Sequence, residues 1–431
     1  MQLEQPLVHG HTSFCRTEQR NDRSFTHHGM DPLMTFENTQ VAFSGKNDSD
    51  LHRSFRLFRL LHRPQLVKAG AWFTKVAIRF RLPIDGLIRN TIFKQFCAGE
   101  SLEESQEVVS KLAGSGVGSI LDYSVEGAGA DADFENAKSE IIRIIHIAAE
   151  NRNIPYTCLK LTGIMPHALL EKLNAGEKLS PEERVLYHRG LTRLSTICRE
   201  AEISKVPVYI DAEESWVQEA IDQITEKMIW QHNTHSAIVN TTIQMYRHDR
   251  LDYLRLLVKE ARAKQVFLGV KLVRGAYLEK ENEYARLKNK PSVINPDKQS
   301  TDEQYDLAVA HCLKNIDIVT LCAGTHNEQS TLTAVELMNK FGLPHDHPHV
   351  YFSQLYGMSD NITYNLADQG YNVTKYVPYG PIKAVLPYLV RRAQENSAIA
   401  GQMGRELKMV AQEISRRYQA KSLAESGKEL V

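Results

Sequence analysis

The chain has 431 residues, 42% of them hydrophobic, which suits two or three ordinary domains or one large barrel with an added segment. Lys plus Arg and Asp plus Glu balance at 52 each, so no global field points to nucleic acid, and any bound anion must be held locally. The six cysteines (Cys15, Cys97, Cys158, Cys198, Cys312, Cys322) form neither a CxxC pair nor a short-spaced framework, which argues for a reducing compartment without structural zinc or disulfides.

In chain order, residues 1–49 read as a disordered extension. The opening stretch lacks an apolar h-region and mixes Glu4, Glu18 and Asp22 with its arginines, unlike a secretory signal or a transit peptide. Nowhere do about 18 apolar residues run together, so no bilayer-spanning helix is expected. Residues 50–115 read as helical: HRSFRLFRLLHR alternates apolar and basic residues at helical spacing, and SLEESQEVVSKLAG carries the N-cap Ser101 and the stop Gly114. The basic, aromatic-rich face of this region either packs on the main domain or makes a peripheral contact with an anionic membrane.

From residue 116 to about 400 the texture changes. Eight apolar runs, GVGSILDYSVEG, YTCLKLTGI, VPVYIDAEE, SAIVNTTIQMY, VFLGVKLVRGAY, IDIVTLCAGTHN, HVYFSQLYGM and VTKYVPYGP, alternate with helical patterns such as AKSEIIRIIHIAAENRN. Eight β/α units predict a (β/α)8 TIM-type barrel, followed over 401–431 by a helix and tail. An open doubly wound sheet is the alternative, but no GxGxxG follows any run.

A barrel of this kind builds its site at the carboxyl ends of the strands. Those ends carry Asp122 and Glu126; Lys160; Asp211 with Glu213 and Glu214; Gln244; Lys271, Arg274 and Tyr277; Thr325, His326 and Asn327; Gln354 and Tyr356; then Lys375, Tyr376 and Tyr379. Lys160, inside an apolar run, needs a matched charge. It forms an internal ion pair with Asp122 or Asp211, binds a ligand, or acts as a Schiff-base nucleophile. Gly275 marks a bend or a close approach to a ligand. His326 has no second ligand at a comparable strand end, and HDHPH (345–349) lies ahead of the seventh run, so no metal site is expected. In PYLVRRAQEN, Pro387 suits a first helical turn; Leu389, Val390 and Ala393 form one stripe, while Tyr388, Arg391, Arg392 and Glu395 share the other side.

Read together, KLT, IDAEE, the fourth-run glutamine, KLVRGAY, THN, QLYGM, Y-VPYG and PYLVRRAQEN resemble the proline dehydrogenase family, in order from about residue 116 to 400. The texture is closest to its monofunctional members. The resemblance implies an FAD-dependent oxidation of L-proline to Δ1-pyrroline-5-carboxylate, by hydride transfer to flavin N5, with electrons passed to a quinone. Arg391 and Arg392 then match the clamp on the substrate carboxylate, with Lys160 as a third cation and Glu126 as the acid gating the first arginine. Asp211 matches an acid that orients the cations, and Leu355, Tyr376 and Tyr388 match the residues around the ring.

The same resemblance gives the flavin to Ala212, Gln244, Lys271, Arg274, Gly275, Ala276, Thr325, His326 and Asn327, with Gln244 at the pyrimidine edge and Lys271 near N5. Lys271 stands where many members carry arginine, a departure at the flavin edge. The implied compartment is a bacterial cytoplasm, peripheral to the inner membrane, or the mitochondrion of a eukaryote. A hydroxyproline dehydrogenase of the same fold and a Schiff-base aldolase using Lys160 remain the alternatives.

Overall fold

A computed structural model describes residues 34–63, 65–67, 69–70, 85–124, 129–398 and 400–426. The eight apolar runs are all strands: β1 (Val117–Tyr123), β2 (Tyr156–Leu159), β3 (Val208–Ile210), β4 (Val239–Gln244), β5 (Leu268–Val273), β6 (Val319–Gly324), β7 (Val350–Leu355) and β8 (Val373–Tyr379). Every pairing is parallel, and β1 pairs with both β2 and β8, closing a barrel. Strands that pack helices outside and side chains inside are buried on both faces, which is why these segments read as near-continuous apolar runs. The doubly wound alternative is thereby excluded.

Helices separate successive strands, among them Asp131–Glu150, Pro181–Ser204, Ser215–His232, Arg250–Lys264, Lys298–Lys314, Glu328–Lys340 and the short Asp360–Asp368. Side-chain alternation then sorts the interior into layers. Ile120, Cys158, Tyr209, Cys322 and Tyr376 belong to one buried cluster. Two residues further along three of these strands stand Asp122, Lys160 and Asp211, so the apolar layer is capped by a charged one.

Before the barrel, Asp48–Leu61, Asp85–Ile88 and Leu102–Ala113 are helical, with Arg89–Phe93 a π-helical turn. Ser101 caps the third of these through Glu104 N at 3.3 Å, and Gly114 ends it. Part of the stretch read as an extension is ordered: Thr39–Ala42 is a helix capped by Asn38, and Phe36 and Phe43 are buried. The barrel is followed by helices Ile382–Ala398 and Ala400–Ser426, the second docked on Asp48–Leu61. Glu413, fully buried, ties the second helix to Thr39–Ala42 by accepting from Thr39 Oγ1 (3.0 Å), beside Arg416 (2.8 Å) and Arg417 (2.7 Å) of its own helix.

The helix carrying the paired arginines differs from its expected form in two ways. It starts at Ile382, so Pro387 lies inside it rather than in its first turn. Among its described residues Ile382, Val385, Leu386, Tyr388, Leu389, Arg392 and Ala393 are buried. Spacings of three, four and seven along this set define a single face, so Tyr388 and Arg392 share the packed side with Leu389, and Val390 is only half-buried.

Candidate active site

At the carboxyl ends of the strands the charged layer resolves into pairs. Asp211, one residue beyond β3 and tied to β2 by its N–H to Leu159 O at 2.8 Å, forms an ion pair with Lys271 of β5. Its second oxygen accepts the Tyr376 hydroxyl at 2.7 Å. Burial alone would raise the Asp211 carboxyl, but Lys271 and Lys160 outweigh it and hold the group below the usual carboxylate range. Burial likewise opposes the charge on Lys271, and Asp211 restores it, leaving its ammonium above the ordinary lysine value. The Lys271 ammonium sits 4.9 Å from the Tyr209 ring centre and 5.2 Å from that of Tyr376. Lys160 pairs with Asp122 at 3.7 Å, which selects Asp122 from the two acids considered for it.

The neighbouring loops are cross-tied. Thr162 of KLT donates its N–H to Glu213 of IDAEE at 3.1 Å, so the two motifs form one structural unit. Burial pushes the Glu213 carboxyl up to about 7 against the pull of those Thr162 contacts. Tyr277, beyond β5, is buried with the Arg391 guanidinium 5.6 Å from its ring centre. Arg392 stacks on Tyr388 at 5.2 Å. Leu355 ends β7 and packs both on the interior cluster containing Tyr376 and on the outer one containing Tyr388, so it links the two aromatic residues. Glu126 lies outside the described residues.

Around β4 to β6 the polar groups are of another kind. Gln244 is buried at the end of β4, and its Oε1 has no protein partner among the described residues. Arg274 is committed to neighbours: its guanidinium meets Asp302 at 2.7 Å and Ser330 Oγ at 2.9 Å, reaches Thr325 Oγ1, and covers the Tyr305 ring at 4.6 Å. Ala276 follows Gly275, whose backbone has φ +136°; a side chain there would meet the Tyr246 ring at 2.4 Å, so only glycine fits this turn. Thr325 Oγ1 accepts the Asn327 N–H at 3.0 Å, and Asn327 caps Glu328–Lys340 through Ser330 N at 3.2 Å. Gln354 Nε2 holds Thr325 O at 3.2 Å.

His326 Nδ1 meets Ser359 Oγ at 2.9 Å, and burial, followed by Lys375, Arg392 and Arg274, pulls the imidazole down to about 3. It is neutral at physiological pH. The HDHPH loop enters β7 at the opposite end of the barrel. There His345 bonds Gln369 O at 2.8 Å and His349 bonds Ile316 O at 3.1 Å, both structural contacts.

Apart from Arg391, Arg392 and Tyr388 on helix Ile382–Ala398, and Leu355 beside them, most of the expected residues fall into two groups. One is the charged set Asp211, Lys271, Lys160 and Tyr376, with Asp122; the other surrounds Gln244, Gly275 and the Thr325–Asn327 turn. Sequence reasoning missed Asp302, Ser359 and Glu406, which hold Arg274 and the His326 turn in place, because each lies on a loop or helix far from the motif it supports.

The family model described as proline dehydrogenase matches residues 105–405. The chain belongs to the proline dehydrogenase family. Proline dehydrogenase 1, mitochondrial, of Dictyostelium discoideum is 31% identical over 380 residues, covering 78% of this chain and 66% of its own. CarD, a carbapenem antibiotics biosynthesis protein of Pectobacterium carotovorum, is 33% identical over 322 residues, covering 75% and 83%. Hydroxyproline dehydrogenase of Xenopus laevis is 29% identical over 416 residues, covering 87% and 89%. Among solved structures, proline utilization A from Bdellovibrio bacteriovorus superposes with a TM-score of 0.64 at 20% identity, over 86% of this chain and 40% of that one. That likeness speaks for the barrel fold. Family membership also sets the aldolase alternative aside.

Proposed function

We propose that this chain oxidises L-proline to Δ1-pyrroline-5-carboxylate with FAD as cofactor. The observation that carries the reading is the buried Asp211–Lys271–Tyr376 cluster at the mouth of a barrel whose sequence matches the proline dehydrogenase family. The residues suit a flavin: Gln244 offers a buried amide oxygen without a protein partner among the described residues, the complement of an imide N–H. FAD, when bound, supplies a two-electron acceptor for hydride from the ring carbon next to nitrogen.

The protein's part is positioning and charge. Arg391, Arg392 and Lys160 hold the substrate carboxylate, a task for which guanidinium forks are well shaped. Glu126 gates the first arginine. Leu355, Tyr376 and Tyr388 flank the ring, and Asp211 fixes the Tyr376 phenol while keeping Lys271 charged beside the isoalloxazine. Ala212, Gln244, Arg274, Gly275, Ala276, Thr325, His326 and Asn327 line the cofactor side. Because Arg274 is already engaged by Asp302, its role there is to shape the Thr325 turn.

Electrons leave to a quinone. The exposed Arg56, Arg59, Leu60 and Arg63 on and just after helix Asp48–Leu61 suit a peripheral membrane contact, and no described helix is long and apolar enough to cross a membrane. The compartment would be a bacterial cytoplasm beside the inner membrane, or the mitochondrion. The second reading, hydroxyproline oxidation, is favoured by the Xenopus relative's name and 89% coverage. The pinned phenol of Tyr376 favours the smaller, unsubstituted ring. Release and identification of the bound flavin, followed by steady-state comparison of L-proline with trans-4-hydroxyproline, tests both: better turnover of the hydroxylated ring would overturn the preference.

A further inference from the structure

The Ala400–Ser426 helix lies outside the barrel, yet two adjacent residues on it grip the turn after β6. Arg405 forms an ion pair with Glu328, the first residue of the helix that Asn327 caps. Glu406, buried, accepts the Ser359 N–H at 2.5 Å and the Ser359 hydroxyl at 3.2 Å. The same hydroxyl meets His326 Nδ1 at 2.9 Å. Ser359 has φ +50°, a left-handed backbone that a serine adopts at a cost, and Glu406 engages both of its polar groups. His326 and Glu328 flank Asn327, so the two grips close on either side of one turn.

We propose that Glu406, seconded by Arg405, is a positioning residue for the cofactor, setting His326 through Ser359. The proposal rests on the flavin reading above. The Glu406 carboxyl is buried and meets both Ser359 donors. Burial pushes it up to about 7; the Ser359 N–H opposes the rise, Asp360 adds to it, and Lys375 and Lys46 lower it.

The test uses the full-length protein and FAD itself. Glu406→Leu and Ser359→Gly should each weaken FAD affinity about ten-fold, the loss of a buried hydrogen-bonded link. The double variant should be no weaker than either, because both break one chain. Glu406→Gln should retain most of the affinity, since its amide oxygen can accept both Ser359 donors. Glu413→Gln, on the same helix, should lower thermal stability without moving FAD affinity. Should Glu406→Leu fail to fold, Ser359→Gly, which relieves its own backbone, carries the comparison. Additive losses, or normal FAD affinity in the leucine and glycine variants, would overturn the proposal alone. A wild-type chain that binds no FAD would overturn the functional reading and this proposal with it.

Discussion

Two sets of residues at the barrel mouth, interleaved around the ring of strands, are built by different physics. In the set from β1, β2, β3, β5 and β8, charged side chains reach across strands to one another: Asp122 to Lys160, and Asp211 to Lys271 and Tyr376. Just beyond the ends of β4, β5 and β6, neutral amides, a strained glycine, a helix cap and a neutral imidazole shape backbone. A site that must stabilise charge during a reaction needs the first kind; one that must hold a large cofactor through many small contacts needs the second. Variants in the first set should therefore change turnover or substrate affinity with flavin in place, and variants in the second should change flavin retention.

The largest effect is expected at Asp211. Asp211→Asn leaves the Lys271 charge buried and the Tyr376 phenol loosely held, so kcat should fall about 10²-fold or more, read by stopped-flow reduction. Stability should drop as well, by about 3 kcal/mol, since breaking one side of a buried pair strands the other. Next is the arginine pair: Arg391→Met or Arg392→Met should raise KM for proline by roughly 10–100-fold, with FAD content unchanged. Unaltered proline kinetics in both would dissolve the distinction between the sets. Gln244→Ala should do the reverse, weakening FAD about ten-fold with little change in KM.

The smallest effect concerns pH. Glu213 and Glu406 have folded-state values near 7 against an ordinary 4.5, so each binds its proton more tightly folded than unfolded. Their contribution to stability is fully present below 4.5, is lost as pH rises through 7, and is constant above. Asp211, displaced downward, contributes in the opposite sense and at lower pH. His326, held neutral, contributes a rising limb over part of the same range, so the check is a difference: in chemical denaturation, Glu406→Gln should make the pH slope of stability less negative than wild type by up to about 1.4 kcal/mol per pH unit, the share of one carboxyl.

The charged set was partly legible in the sequence because a lysine inside an apolar strand needs a matched charge, and an internal ion pair was one reading of Lys160. Lys160 announces a partner, and the two-residue alternation places Asp122 and Asp211 at its depth; the Lys271–Asp211 pair was not foreseen. All eight strands were legible for a similar reason, since β/α repetition leaves few other folds. The helix of the paired arginines was misjudged in detail. A proline normally marks a first turn, but tertiary packing of Val385, Leu389 and Ala393 carries the helix through Pro387 and takes Tyr388 and Arg392 into the buried face. The supports of the second set, Asp302, Ser359 and Glu406, could not be found by pattern. Their partners lie 28, 33 and 47 residues away, and no spacing rule connects them.

The central claim is that this mouth oxidises proline, and the most direct measurement is the visible spectrum of the purified protein before and after anaerobic addition of L-proline. A flavin band should bleach on addition and return with a quinone. A colourless protein, or a flavin band that proline leaves unchanged, would contradict the claim.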